Sequence, residues 1–171
     1  MSTSVAARRG RGDQGFTLVE LMVVVLVLAI LMAIAIPTFL GARDRGQDRA
    51  AQSTARNTLT AAKILYGDAS PASYALADDN NGAALRAIEP QYAYVVGATV
   101  SANDEQPSVS VSTNGLTIGI AVRSDSGTCF LIKDVQDSTN VNSIGTFYAK
   151  ATSGLCTGAR ALTISNASTS W

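Results

Sequence analysis

The sequence predicts an α+β protein, one long N-terminal helix packed on a small antiparallel sheet, and three observations predict it. An uninterrupted apolar run lies near the N-terminus, an amphipathic stripe of helical period continues it, and short strand-like segments punctuated by turn signals fill the remainder. Leu21–Ile36 is sixteen consecutive apolar residues, and the stretch is twenty-one residues long if Phe16 is taken as its start. A helix of that length rises roughly 30 Å, the thickness of a bilayer's hydrocarbon core.

The helical pattern does not stop where the apolar run does. Ala51, Ala55, Leu59, Ala62 and Tyr66 recur at spacings of four, four, three and four, one face of a 3.6-residue period. Arg45, Asp48, Arg49, Gln52 and Arg56 occupy the other faces. One helix is therefore expected from about Thr17 to Tyr66, its first half apolar all round and its second half with one face to bury. Pro37, Gly41 and Gly46 are points of local weakness, Pro37 being the candidate kink because proline removes an i to i−4 bond. Gly67-Asp68 supplies the stop.

Beyond it, Asp79-Asn80-Asn81-Gly82 reads as a turn, Ala83–Ile88 as a short helix, and Pro90 as its end. Strand-like segments follow at Tyr92–Val96, Ser108–Ser112, Leu116–Val122, Thr128–Val135 and Gly145–Ala149, with a weaker one at Ala161–Ser165. Asn114-Gly115 between two of them is a hairpin signal. About four of these segments are expected to form the sheet that covers the amphipathic half of the helix.

Formal net charge is zero, so no global basic field points to nucleic acid, and no direct nucleic-acid binding is expected. Histidine is absent, which removes the commonest general base and metal ligand. There is no glycine-rich phosphate loop, no nucleophile paired with a base and no zinc spacing, so neither enzymatic activity nor a cofactor is expected. Asp78-Asp79-Asn80-Asn81-Gly82 offers oxygen ligands without the spacing of a calcium loop, and capping and turn formation explain it better. Arg123 and Lys133 read as isolated, solvated charges on strands, and Asn166-Ala167-Ser168 is a short chance match to a glycosylation pattern. The two cysteines, Cys129 and Cys156, lie far past the apolar run. In an exported domain such a pair is most simply a disulfide, the alternative being two reduced, buried thiols.

Three readings compete for the N-terminus. Arg8, Arg9 and Arg11 before an apolar region, with Ala33-Ile34-Ala35 after it, fit a secretory signal peptide. The same residues fit a plain membrane anchor. The third reading is a leader cut on the cytoplasmic side of the apolar helix, so that the helix is retained. Glu20 separates them. A carboxylate at the centre of a membrane helix costs roughly 2.5–3.5 kcal/mol, less near the interface, and neither a signal peptide nor an anchor has a use for it. Cleavage after Gly15 creates a partner, the α-amino group of Phe16, four residues before Glu20. Basic residues flank both ends of the run, with Arg43, Arg45, Arg49 and Arg56 following it, and do not decide topology.

The stretch Gly15-Phe16-Thr17-Leu18-Val19-Glu20-Leu21-Met22-Val23-Val24 resembles the processing site of type IV pilin precursors and related pseudopilins. The resemblance is close over residues 8 to about 45, including Pro37, and past residue 66 is one of layout only. It implies the pilin fold, a leader over residues 1–15, a membrane and filament-core helix over 16–37, an amphipathic half over 38–66 and a head domain over 67–171. It implies cleavage after Gly15 and methylation of Phe16 by a prepilin peptidase/methyltransferase, and a role for Glu20 in assembly. The implied partners are the membrane, a pilus assembly platform and further copies of the chain, joined through their N-terminal helices into a helical filament at the cell surface. A major pilin is the leading expectation, with a pseudopilin of a secretion or DNA-uptake machine second and a minor pilin acting as tip adhesin or DNA receptor third. Secretion pseudopilins of the family carry a C-terminal calcium site, whereas Thr157–Trp171 holds no acidic side chain.

Overall fold

The computed structural model describes residues 15–139, 144–165, 168 and 170–171, so residues 1–14 of the expected leader and Asn166-Ala167 lie outside the described residues. Contacts divide the chain into two units, residues 1–41 and 42–171, and helix α1 (Leu18–Asp68) contributes to both. In the first unit every large apolar side chain from Phe16 to Leu40 is exposed. Pro37 lies inside α1, whose helical assignment continues through it to Asp68, past the expected end at Tyr66. Proline denies the Ala33 carbonyl its usual donor. One residue on, the Thr38 hydroxyl donates to the carbonyls of Ile34 (2.8 Å) and Ala35 (3.0 Å).

In the second unit α1 is followed by α2 (Ala75–Asp78), a single 3-10 turn (Asp79–Asn81) and α3 (Ala83–Ile88), the last with the bounds the sequence indicates. Then come β1 (Val95–Val96), β2 (Ser108–Val111), β3 (Thr117–Arg123), β4 (Cys129–Val135), β5 (Gly145–Ala151) and α4 (Gly158–Leu162). The five strands form one sheet in sequence order. The pairs β2–β3, β3–β4 and β4–β5 are antiparallel, but β1 runs parallel to β2, so the sheet is not wholly antiparallel as expected. The cause is the connection: the chain turns through the Ser101–Gln106 loop between β1 and β2 rather than through a tight hairpin. In that loop the Ser101 hydroxyl donates to the Asn103 carbonyl and the Asn103 side chain accepts from the Glu105 N–H. At Asn114-Gly115 the anticipated hairpin does form. Gly115 takes φ +70, which glycine adopts freely, and its N–H donates to the Ser112 carbonyl at 2.9 Å.

The two faces of the sheet have different covers. Ile118, Ile120 and Val122 of β3 and Phe130 and Ile132 of β4 join Ala51, Ala55, Leu59, Ala62 and Leu65 of α1 in the main core. The buried stripe of α1 is wider than the periodicity alone indicates, taking in Thr54, Thr58 and Ala61, while Tyr66 is half-buried against Tyr74. Most of its residues are small, which lets the helix axis approach the sheet. Ala121, Cys129 and Leu131 face the other way and pack with Cys156 and Ala161.

The segment near Ala161–Ser165 is not a strand: its first two residues end helix α4 and the rest is turn and irregular chain. Thr157 caps α4 by accepting the Arg160 N–H at 3.1 Å, the local signal that wins over β-propensity. Two glycines then admit the helix to the sheet: a Cβ on Gly119 would stand 2.4 Å from the Gly158 carbonyl oxygen, and one on Gly158 would stand 2.5 Å from the Ser110 nitrogen. Lys133 is also less solvated than expected. Its ammonium donates to the Ile164 carbonyl, and burial holds its pKa below the usual lysine range.

Cys129 and Cys156 form a disulfide, tying β4 to the segment before α4. The bridge spans 27 residues, and on chain-entropy grounds it stabilises the fold by about 3 kcal/mol. Non-reducing peptide mapping of the native protein is expected to recover these two peptides linked, and reduction to lower the unfolding midpoint correspondingly.

At the β5 edge, Ser168 accepts the Tyr148 N–H at 2.9 Å, and the Trp171 indole donates to the Ala149 carbonyl at 2.9 Å. Trp171 stands edge-on to Phe130 and Tyr148 and carries the Arg56 guanidinium over its face, 5.0 Å from the ring centre.

Candidate processing and assembly site

Gly15 and Phe16 precede the first turn of α1, and Phe16 is 81% exposed. Thr17 starts the helix. Its hydroxyl accepts the Glu20 N–H at 3.2 Å and its carbonyl accepts the Leu21 N–H at 3.2 Å. Thr17-x-x-Glu20 has the residue types of a capping box, in which a hydroxyl satisfies an orphan donor of the first turn. Glu20 therefore sits in the first turn, where the helix dipole favours a negative charge, and its side chain is exposed. The structure thus brings Gly15, Phe16, Thr17 and Glu20 together within one helical turn of the cleavage position the sequence suggests. Pro37 and the disulfide stand apart from them in the chain.

Among the described residues, α1 is the one helix long and apolar enough to cross a membrane by length and composition. No group of three or more acidic or cysteine side chains that could hold a metal ion occurs among them. The Asp78–Gly82 stretch is engaged locally. The Asp78 carboxylate accepts the Val111 N–H at 2.8 Å, Asp79 accepts the Asn80 N–H at 2.8 Å, and Asn80, Asn81 and Gly82 all have positive φ. These are the interactions of a turn.

One polar cluster escaped the sequence reading. Asp134 is fully buried on the α1 side of the sheet. Its carboxylate accepts the Tyr74 hydroxyl at 2.6 Å, the Gln136 amide at 2.8 Å and the Thr146 hydroxyl, and pairs with Lys63 at 3.0 Å. Burial pushes the Asp134 carboxyl up, but hydrogen bonds from Thr146, Tyr74, Gln136 and Lys63 outweigh it and leave the pKa lowered. The Tyr74 phenol is raised by burial and by its carboxylate neighbour. A signal was present. In Phe130-x-Ile132-x-Asp134 the period of two places the aspartate on the same face as two core residues.

Comparison with known proteins bears on the N-terminal site. The family description "Prokaryotic N-terminal methylation motif" matches residues 10–36, the stretch that holds Gly15, Phe16 and Glu20. The chain thus carries the prepilin-type N-terminal methylation motif, followed by an apolar helix long enough by length and composition to cross a membrane. It is similar to the type IV major pilin protein PilA of Myxococcus xanthus, 39% identical over 56 residues, which is 33% of this chain and 26% of the relative. It is also similar to the type IV wide pilus major component PilA4 of Thermus thermophilus, 50% identical over 38 residues, 22% of this chain and 29% of the relative. The matches span little more than a quarter of either relative's length. No solved structure matches the chain.

Proposed function

We propose that this chain is a structural subunit, the major one, of a type IV pilus. In this reading the precursor is cut after Gly15, held in the cytoplasmic membrane by residues 16–37 and polymerised into a surface filament by way of an assembly platform. The observation that carries it is the coincidence of the methylation motif over residues 10–36 with an exposed apolar helix that has a carboxylate, Glu20, in its first turn. A helix apolar on every face leaves lipid only for an equally apolar environment. A bundle of such helices at the centre of a filament supplies it. There the Glu20 carboxylate of an arriving subunit pairs with the Phe16 amine of a subunit already in place. An unpaired carboxylate in low dielectric is strongly disfavoured, so this pairing selects register. Both relatives, a major pilin and a pilus major component, favour the major subunit.

Mass spectrometry of sheared surface material tests the processing step and is expected to find an N-terminal peptide beginning at methylated Phe16. A mature N-terminus at Met1 or at Ile36 sinks the reading. Electron microscopy of a deletion strain separates the two kinds of filament. Loss of long surface fibres marks a pilin, and their persistence with a secretion or uptake defect marks a pseudopilin.

A further inference from the structure

Charge is divided unevenly within the mature chain. Residues 42–66 carry five basic side chains (Arg43, Arg45, Arg49, Arg56, Lys63) against two acidic ones, whereas residues 67–171 carry nine acidic against five basic. Arg45, Arg49, Arg56 and Lys63 are spaced by four, seven and seven residues. At 100° per residue they fall within about 40° of one another, a ridge roughly 27 Å long on α1. The ridge holds no acidic residue, since Asp48 points to the Ser126 hydroxyl. The sole ion pair among the described residues is Lys63–Asp134, so Arg45, Arg49 and Arg56 are exposed without a carboxylate partner in their own chain.

The ridge lies on the β5 flank of the head, because Lys63 reaches Thr146 of β5 and Arg56 stacks on Trp171, which is bonded to β5. An acidic corner lies on the opposite flank. The backbones of Glu105 and Glu89 both lie against the segment leading into β1, where the Glu105 carbonyl accepts the Ala93 N–H and the Glu89 carbonyl accepts the Tyr92 N–H, with Asp104 next to Glu105 in the chain. The strand order places β1 and β5 at opposite edges of one sheet. Opposite charges on opposite flanks are the arrangement of a heterologous contact, in which each copy receives one neighbour and offers the complementary surface to the next.

We propose that the Arg45–Arg49–Arg56 ridge is a docking surface for the Glu89–Asp104–Glu105 corner of a second copy of this chain. The inference rests on the filament reading above and names a lateral contact between heads, distinct from the Glu20 pairing in the helical bundle. Partly exposed pairs of this kind set orientation and respond to salt, so filament yield falls as ionic strength rises.

The test is charge reversal with reciprocal rescue in the full-length chain. Arg45→Glu/Arg49→Glu is expected to lower filament yield by about tenfold or more. Its membrane pool, Phe16 methylation and Cys129–Cys156 bridge should match the wild type, because both arginines are exposed. Adding Glu89→Lys/Glu105→Lys in the same chain is expected to restore yield to within about threefold of the wild type. In filaments of Arg45→Lys/Arg49→Lys, carbodiimide coupling should join position 45 or 49 to Glu89, Asp104 or Glu105 of another copy. Wild-type yield from the reversed variant overturns this contact alone. Loss of filaments without rescue means that the ridge meets a different anion, such as lipid, and also overturns it. If the wild-type chain forms no filament, the pilus reading fails and the contact falls with it.

Discussion

Glu20→Ala is expected to insert in the membrane, lose its leader after Gly15 and accumulate as a mature subunit, yet yield no filaments. The substitution removes a carboxylate that lipid disfavours, so insertion improves if it changes at all. In the proposed bundle the Phe16 amine is then left without its partner. An uncompensated charge in low dielectric costs about 3–5 kcal/mol, between two and four powers of ten in the constant for subunit addition. Immunoblots of membrane and sheared fractions measure both halves of the outcome, and normal fibres from this variant would end the proposed role of Glu20. Thr17 matters indirectly, because its hydroxyl fixes the first turn from which Glu20 projects.

The second large effect lies in the head. Asp134→Ala leaves the Tyr74 hydroxyl, the Gln136 amide and the Thr146 hydroxyl without their buried acceptor and strips Lys63 of its ion pair. A loss of about 3–5 kcal/mol is expected, a large fraction of the stability of a domain this size. Tyr74→Phe removes one donor only and should cost about 1–2 kcal/mol. The pH dependence follows from the same geometry. Because the folded carboxyl titrates below its ordinary value near 3.8, its contribution is present above that pH and is lost as the pH falls through the lower folded value. Denaturant unfolding at neutral pH and below pH 4 reads both effects. A flat profile into strong acid, or an Asp134→Ala protein as stable as the parent, would contradict the assignment.

Much of this architecture could be read from residue order because it rests on local patterns. Sixteen apolar residues in a row, the alanine-leucine stripe and Asn114-Gly115 each act through backbone propensity or periodic burial, and the bounds of α3 were legible to the residue. The disulfide followed from the number of cysteines and the expected export of the domain that holds them. What was missed depends on partners distant in sequence. The parallel pairing of β1 is set by the loop before β2. The helical state of α4 was hidden behind β-branched neighbours, although Thr157 is a capping residue and Gly119 and Gly158 make the room. Asp134 was passed over because its four partners come from α1, the segment before α2, the end of β4 and the start of β5. At the N-terminus the residue types were legible, whereas the Thr17 hydrogen bond that orders them was not.

The contacts of Ser168 and Trp171 with β5 have a consequence for how the chain survives at high concentration. A bare sheet edge is a template on which any extended segment can add, and molecules crowded in one plane meet edge to edge often. Here Ser168 and Trp171 already occupy hydrogen-bonding groups of Tyr148 and Ala149, and the indole anchors them through Phe130, Tyr148 and Arg56. At the far side β1 is only two residues long, too short to recruit a foreign strand. With one border partly covered and the other too short, cross-β misassembly has lost its easiest entry.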